Sequence, residues 1–196
     1  MLDNVPVPMK KRMAFLEELD RRHRSGDVPP DVRLRQVPPD TGKFLACMAM
    51  MAPAGTYLEI GTSGGYSALW ISVACRELGR KLITFEVLPK KIELARETFR
   101  VAGVDDVVDL VPGDALLHLQ AYKDVSFCFL DAEKECYAEC YDKIVPNMVQ
   151  RGILVADNVL SHKEILKEMV DDALSDQRVY AMVLPIGSGL LLCVRR

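Results

Sequence analysis

The chain has 196 residues, 25 of them basic and 28 acidic, for a formal charge of −3; 49% are hydrophobic and 7% aromatic. That length suits one domain, and such an apolar fraction excludes a largely disordered chain. No run approaches the roughly 18–20 apolar residues that cross a bilayer, and a mildly acidic chain without a basic block is a poor binder of nucleic acid by charge alone.

Met1 to Lys11 contains no apolar segment of the secretory type, so a reducing, cytoplasmic location is expected. The six cysteines, Cys47, Cys75, Cys128, Cys136, Cys140 and Cys193, form no C-x-x-C pair and are read as free thiols. Cys136 and Cys140 share a helix face and would make a zinc set with His162 or His118, but partly buried thiols are the simpler reading.

Met9 to His23 reads as an amphipathic helix through Met13, Leu16 and Leu19, broken by Ser25-Gly26-Asp27 and Pro29-Pro30. Residues 1–36, with eight basic against six acidic side chains, are expected to form a helical arm, and residues 37–196 the main domain. After Pro38-Pro39, Asp40 or Thr41 is expected to cap a helix running to Met51.

From Gly55 the pattern alternates. Strands are expected at Tyr57 to Ile60, Lys81 to Phe85, Val107 to Val111, Val125 to Leu130 and Ile153 to Ala156. Between them fall helices at Ser67 to Leu78, Pro89 to Val101 and Tyr137 to Val149, with Gly103 ending the second. Ser161-x-x-Glu164 has the spacing of a capping box, opening a helix to Leu174. Val179 to Leu184 and Leu190 to Val194 read as a terminal hairpin around Ile186-Gly187-Ser188-Gly189. Such alternation implies an α/β fold, a mostly parallel sheet with helices on both faces. Right-handed crossovers then collect the carboxyl ends of the parallel strands on one edge, where ligands bind.

The residues at those ends are chemically loaded. Glu59-Ile60-Gly61-Thr62-Ser63-Gly64-Gly65-Tyr66-Ser67 is a glycine-rich strand-to-helix turn that suits a nucleotide-like ligand, or is simply a tight turn. It matches neither the dinucleotide fingerprint nor the phosphate loop, and Glu59 would repel a pyrophosphate but suits a cationic ligand. Glu86, at the second strand end, can accept two hydrogen bonds from a ribose diol. Asp114, in Gly113-Asp114-Ala115, can accept from an adenine amino group. Asp131 and Asp157-Asn158 follow two uninterrupted apolar strands. If those strands are neighbours, about 4.8 Å apart, three oxygen donors converge and suit Mg²⁺, Mn²⁺ or Ca²⁺; alternatively Asp157-Asn158 is only an Asx turn. Lys134, one turn beyond Asp131, is placed to act as a general base if a nearby cation lowers its pKa.

Taken together, Glu59-x-Gly61-x-x-x-Gly65-Tyr66-Ser67, Glu86, Gly113-Asp114-Ala115, Leu130-Asp131-Ala132-x-Lys134-x-x-Tyr137 and Asp157-Asn158 resemble the metal-dependent, S-adenosylmethionine-dependent O-methyltransferases. That family includes the catechol and caffeoyl-CoA enzymes and small bacterial relatives, and the resemblance covers roughly Val37 to Val194. It implies a Rossmann-like, seven-stranded sheet ending in an antiparallel hairpin. It also implies that Gly61, Ser63 and Ser67 line the methionine end of the cofactor, with Glu59 supporting that loop. Glu86 would hold the ribose hydroxyls, Asp114 and Ala115 would border the adenine, and Val37 would close over it; Val87 and Asp131 belong to the same cofactor-binding set. Asp131, Asp157 and Asn158 would bind the divalent cation, Mg²⁺ first, and Asp131 and Lys134 form the catalytic pair, with Lys134 taking the acceptor's proton. The acceptor implied is a small catechol-like or hydroxylated aromatic molecule. A homodimer is implied too, supported by the apolar face of the arm helix.

Two features depart from the family: Ser188-Gly189-Leu190 stands where Asp-Gly-Leu is usual, and the arm is short. Two other readings stay open. One is methylation of a hydroxyuridine in tRNA, for which Arg21, Arg22, Arg24, Arg33 and Arg35 would supply the charge. The other is a non-catalytic cofactor sensor or partner subunit, against which Lys134 and the donor triad speak.

Overall fold

A computed structural model describes residues 5–196. Seven strands form one sheet: β1 (Thr56–Ile60), β2 (Leu82–Glu86), β3 (Val108–Pro112), β4 (Val125–Leu130), β5 (Met148–Ala156), β6 (Val179–Leu184) and β7 (Leu190–Arg195), in the order β3-β2-β1-β4-β5-β7-β6. The first five are parallel; β7 runs antiparallel to both β5 and β6. The strand order reverses beside β1, so β2 and β4 leave it on opposite sides, and the crevice this creates is where α/β sheets bind ligands.

The period of two in β1 and β4 divides the core. Tyr57, Phe127, Phe129, Ile153 and Val155 face a layer built from α1 (Val7–Ser25), α2 (Pro39–Met51), α3 (Tyr66–Leu78) and α4 (Pro89–Ala102). Leu58, Ile60, Cys128, Leu130 and Leu154 face α5 (Tyr137–Ile144) and α6 (Lys163–Ser175) on the other side. Every residue of β4 is buried, as expected for a strand covered on both faces. Gly79 and Gly103 end α3 and α4 in the left-handed conformation. The six cysteines are all free, and among the described residues no helix is long and apolar enough to cross a membrane.

The expected elements are present, with three local differences. The helix expected through Val149 stops at Ile144: Pro146 lacks an N–H and turns the chain through a 3-10 segment, so β5 begins at Met148 rather than Ile153. Neither Asp40 nor Thr41 caps α2, because Pro39 opens the helix and both fall inside its first turn. The capping box at Ser161 does not form. The helix starts at Lys163, and the Ser161 hydroxyl turns back to the Asn158 carbonyl at 3.3 Å and to His162 Nδ1 at 3.0 Å.

The arm is built into the same core as the rest of the chain. Met9, Met13 and Leu16 of α1 are buried in the cluster that holds α3 and α4. Arg12, also buried, donates to Thr98 Oγ1 at 3.1 Å, and the Tyr66 hydroxyl donates to Glu17 Oε1 at 2.5 Å. The apolar face of α1 is therefore covered within the chain and says nothing for a dimer; residues 1–4 of the expected arm lie outside the described residues. Leu16→Ala is expected to lower the unfolding free energy in urea by about 2–5 kcal/mol, the range for truncation in a filled core. A loss below about 0.5 kcal/mol would mean an arm that merely rests on the surface.

Candidate active site

The sheet ladder itself sets the site. Beyond the last paired residues of β1, β4 and β5 the chain keeps one more hydrogen bond: Asp131 N–H donates to the Ile60 carbonyl at 2.9 Å, and Asp157 N–H to the Leu130 carbonyl at 3.0 Å. Gly61 N–H likewise donates to the Phe85 carbonyl at 3.1 Å. Gly61, Asp131 and Asp157 thus leave the sheet side by side. They open into a cleft of about 1300 Å³.

Gly61 has φ of +101°, and a Cβ there would run into the Asp131 carbonyl, so only glycine fits. The turn that follows is held from two directions. Beneath it, the Thr62 and Thr84 hydroxyls meet at 2.6 Å, and Thr84 reaches Glu59 Oε2 at 2.5 Å. In front of it, Ser63 N–H donates to Glu86 Oε2 at 2.7 Å, while Val87 and Leu88 N–H donate to Oε1 at 2.9 and 3.0 Å. Three backbone donors fix the Glu86 carboxylate and leave it further acceptor capacity toward the cleft.

A strap formed by residues 26–38 crosses this turn. Leu34 accepts from the Ser63 hydroxyl at 3.1 Å, Asp31 pairs with Lys90 at 2.7 Å, and Arg35, at φ of +53°, pairs with Glu133 at 3.5 Å. Val37 lies on its inner side and is buried. Ala115 and Val87 complete this half of the cleft; Val87 is 56% exposed, an apolar face with nothing packed on it. Asp114 also lines it, its Oδ1 capping a 3-10 turn through Leu116 N–H at 2.9 Å. Two of the expected site residues do not touch the cleft: Glu59 is fully buried beneath the turn, and Ser67 lies on α3 close enough to Glu59 to favour its charged form. Both support the turn rather than line it.

The other half of the cleft gathers Asp131, Lys134, Asp157 and Asn158. Burial, reinforced by the nearby Asp131 charge, pushes the Asp157 carboxyl up to about 7. Burial also raises Asp131, against the pull of Lys134. Asp157 Oδ1 is buried without a hydrogen-bond partner, while Asn158 Nδ2 donates to Oδ2 at 3.3 Å, leaving the Asn158 side-chain amide oxygen (Oδ1) available. Asn158 sits at φ of +66°, a conformation asparagine tolerates. Two crowded carboxylates, one with an orphaned oxygen, and an adjacent amide make an oxygen donor set that fits a hard divalent cation. Among the described residues no group of three His, Cys, Asp or Glu gathers for a metal, so a cation here would draw on the Asn158 amide beside the two carboxylates.

Lys134 Nζ donates to Asp131 Oδ1 at 3.2 Å, to the Ala132 carbonyl at 2.8 Å and to the Tyr137 hydroxyl at 2.9 Å. Tyr137 in turn donates to the Asp157 carbonyl at 3.3 Å. Its phenol is raised well above the ordinary range by burial and by Asp131, so it stays neutral. Tyr137 was visible in the sequence only as part of the pattern after Asp131; here it ties Lys134 to β5. Thr62 and Thr84 carried no signal, since isolated threonines are ordinary strand residues. Lys91 and His162 also line the cleft, and both act electrostatically on Asp131. Burial lowers the Lys91 ammonium's pKa.

The O-methyltransferase family model matches residues 11–196. The chain belongs to the O-methyltransferase family. It is 38% identical over 146 residues to a catechol O-methyltransferase of Mycobacterium tuberculosis, covering 72% of this chain and 66% of that protein. It is 33% identical over 137 residues to one of Niastella koreensis, covering 67% and 62%. The chain therefore spans somewhat less than two thirds of these relatives. Among solved structures, an O-methyltransferase from Bacillus cereus in complex with SAH is similar at a TM-score of 0.76 and 26% identity, over 93% of this chain and 91% of that one. An SAH-bound methyltransferase of Podospora anserina shares the fold at a TM-score of 0.81 and 23% identity, over 98% and 89%.

The buried Glu59 generates a pH dependence. Burial raises its carboxyl from 4.5 to about 7, so the folded chain keeps a proton that the unfolded chain loses. The stability this confers is full below the unfolded value and falls as pH rises toward 7. Asp157 contributes with the same sign. Without metal, wild type is expected to lose stability across this window, and Glu59→Gln to lose less by on the order of 3 kcal/mol. Urea unfolding at pH 4.5 and 7.5 reads the difference; parallel profiles would remove Glu59 as the cause.

Proposed function

We propose that the chain transfers the sulfonium methyl of S-adenosylmethionine to a hydroxyl of a small catechol-like or otherwise hydroxylated aromatic acceptor. Asp131, Asp157 and Asn158 would hold a divalent cation, Mg²⁺ first, with Mn²⁺ or Ca²⁺ suited to the same oxygens. The observation that carries this reading is the pairing of Asp131 with Asp157 on adjacent strand ends, with a buried carboxylate oxygen unpartnered beside a cleft wide enough for two small molecules. The catechol O-methyltransferases among the relatives support the acceptor class.

Each group then has a physical task. The Gly61 turn allows close approach of a ligand, Glu86 offers its free acceptor positions to a ribose diol, and Val87, Ala115 and Val37 supply apolar surface for an adenine. The sulfonium methyl is already activated, so the protein's contribution is to hold a nucleophilic oxygen in line with it at about 3 Å. A cation held by Asp131, Asp157 and Asn158 would lower the pKa of an acceptor hydroxyl and fix its direction. Lys134 takes the proton. Its three donated hydrogen bonds describe the ammonium, the form it has once the proton has arrived. Tyr137 and Asp131 hold it at that place, next to the donor set.

The tRNA reading finds little support in the arm. Arg21 and Arg22 pair with Glu18, Arg24 with Asp20 and Arg35 with Glu133, and Arg33 donates to the Val28 carbonyl. Glu18, Asp20 and Glu133 thus offset part of the charge of the five arginines.

Asp157→Ala is expected to abolish Mg²⁺-dependent methyl transfer to catechol while leaving S-adenosylhomocysteine affinity, read by calorimetry, within a few-fold. Undiminished transfer in EDTA would sink the metal assignment. Lys134→Ala is expected to slow turnover by about 10²–10⁴-fold, the range for loss of a general base, and most at low pH, where the acceptor hydroxyl is least ionised. A pH–rate profile parallel to that of wild type would take Lys134 out of proton transfer.

A further inference from the structure

We propose that Cys136 and Cys140 form an oxidation site in the wall of the cleft. Cys136 is the thiol that reduces a peroxide, Cys140 resolves the product into a disulfide, and the oxidised pair and a ligand in the adenine half of the cleft exclude one another. The exclusion rests on the reading of the cleft as a cofactor site; the thiol chemistry does not.

Cys136 ends a 3-10 turn (Lys134–Cys136) and directly precedes α5, and Cys140 follows one helical turn later on the same face. One such turn separates Cα atoms by about 6 Å, within the span of a disulfide. Both side chains line the cleft, Cys136 half-buried and Cys140 buried behind it. The two thiols are hydrogen-bonded to one another. That bond, helped by the Cys136 N–H and by Lys134, holds the Cys136 thiol below its ordinary range, against burial and the Asp114 charge. Cys140 is driven the opposite way by the same bond and by burial, and keeps its proton. When protonated, Cys136 donates to the Glu133 carbonyl at 3.0 Å. An accessible thiol of lowered pKa beside a resolving thiol is the arrangement that peroxides oxidise first.

The other cysteines lack this setting. Cys75, Cys128 and Cys193 are fully buried, and burial raises the pKa of each. Cys128, on β4, acts on Cys140 only electrostatically. Cys47 lies on α2, across the sheet from α5. Among the described residues no group of three His, Cys, Asp or Glu gathers for a metal, so the zinc set with His162 or His118 does not form.

The Cys136 thiolate attacks one peroxide oxygen. The O–O bond breaks, an S–O bond forms, and the second oxygen leaves as hydroxide; sulfur is oxidised to a sulfenic acid and the peroxide is reduced. The Cys140 sulfur then attacks Cys136. The S–S bond forms, the S–O bond breaks, and the departing hydroxide takes the Cys140 proton as water. Two thiols and one hydrogen peroxide give one disulfide and two waters. Closure draws Cys136 toward Cys140 and removes the hydrogen that it donates to the Glu133 carbonyl, in the segment joining Asp131 to Lys134. The Glu133 side chain pairs with Arg35 of the strap, so the change reaches the roof of the cleft as well as its wall. Asp114 acts on both thiols, which sets the pair at the adenine half, where a bound ligand covers Cys136 from peroxide.

The test exposes the reduced full chain to hydrogen peroxide. Trypsin releases both residues, and no other cysteine, in the peptide 135–143. Mass spectrometry is expected to find that peptide two hydrogens lighter and resistant to iodoacetamide until dithiothreitol restores it. Cys140→Ser should stop at a Cys136 sulfenic acid captured by dimedone, and Cys136→Ser should leave Cys140 reduced. Saturating S-adenosylhomocysteine should slow closure by about tenfold or more, and calorimetry should show the oxidised chain binding it about tenfold more weakly. Oxidation elsewhere while 135–143 remains open to iodoacetamide would overturn the proposal. So would Cys140 oxidised as readily in Cys136→Ser, or bound S-adenosylhomocysteine that neither slows closure nor loses affinity on oxidation. A chain that closes the bridge but binds no S-adenosylhomocysteine would keep the oxidation site and remove the cofactor reading instead, and the exclusion with it.

Discussion

The structure depends on one electrostatic constraint: two carboxylates held side by side at the ends of adjacent parallel strands. β4 and the Gly152–Ala156 end of β5 are buried and apolar, and their register pairs Leu130 with Ala156, so the next residue of each, Asp131 and Asp157, emerges into the same crevice. Hydrophobic burial of the strands thus enforces a proximity that the charges themselves oppose. Burial raises the pKa of both carboxyls, and the Asp131 charge adds to the rise at Asp157. Lys134, pinned by Asp131, Tyr137 and a backbone carbonyl, relieves part of it, and a bound cation would relieve the rest.

The other half of the cleft follows the same plan, with a rigid sheet beneath and polar groups clamped above. The Gly61 turn rests on a Thr62–Thr84–Glu59 chain that reaches into the sheet interior, and its front is sealed by Glu86. Glu59 accordingly carries a cost in stability above its raised pKa, in exchange for a preformed turn. Both halves draw their key side chains from strand ends, the positions that packing defines most sharply.

The parts of this arrangement legible in the sequence were those with a period or a spacing. Alternating strands and helices, the glycine turn and the acids after apolar runs identify the sheet and the oxygen donors. What stayed hidden was tertiary. Nothing local marks Thr84 as the partner of Thr62, because the pairing arises from β1 beside β2. Ser161-x-x-Glu164 has capping-box spacing, yet the Asn158 carbonyl and the His162 ring compete successfully for the Ser161 hydroxyl. The arm helix showed an apolar face, but only the fold reveals that α3 and α4 cover it. The sequence points to Ser67 lining the cofactor end and Glu59 supporting the turn; in the fold both side chains lie beneath the turn.

The strap across the Ser63 turn has a kinetic corollary. Pinned to Lys90, Ser63 and Glu133, it roofs the Glu86 half of the cleft, whereas the mouth beside Asp157 is edged by Ser161, His162 and Ser188. A molecule destined for Glu86 travels past that mouth or beneath the strap, and one seated at the mouth bars the first route. On the proposed reading, a cofactor at Glu86 would have to enter before an acceptor seated at the mouth closed that route. The Arg35–Glu133 pair that helps hold the strap is exposed, so salt screens it readily.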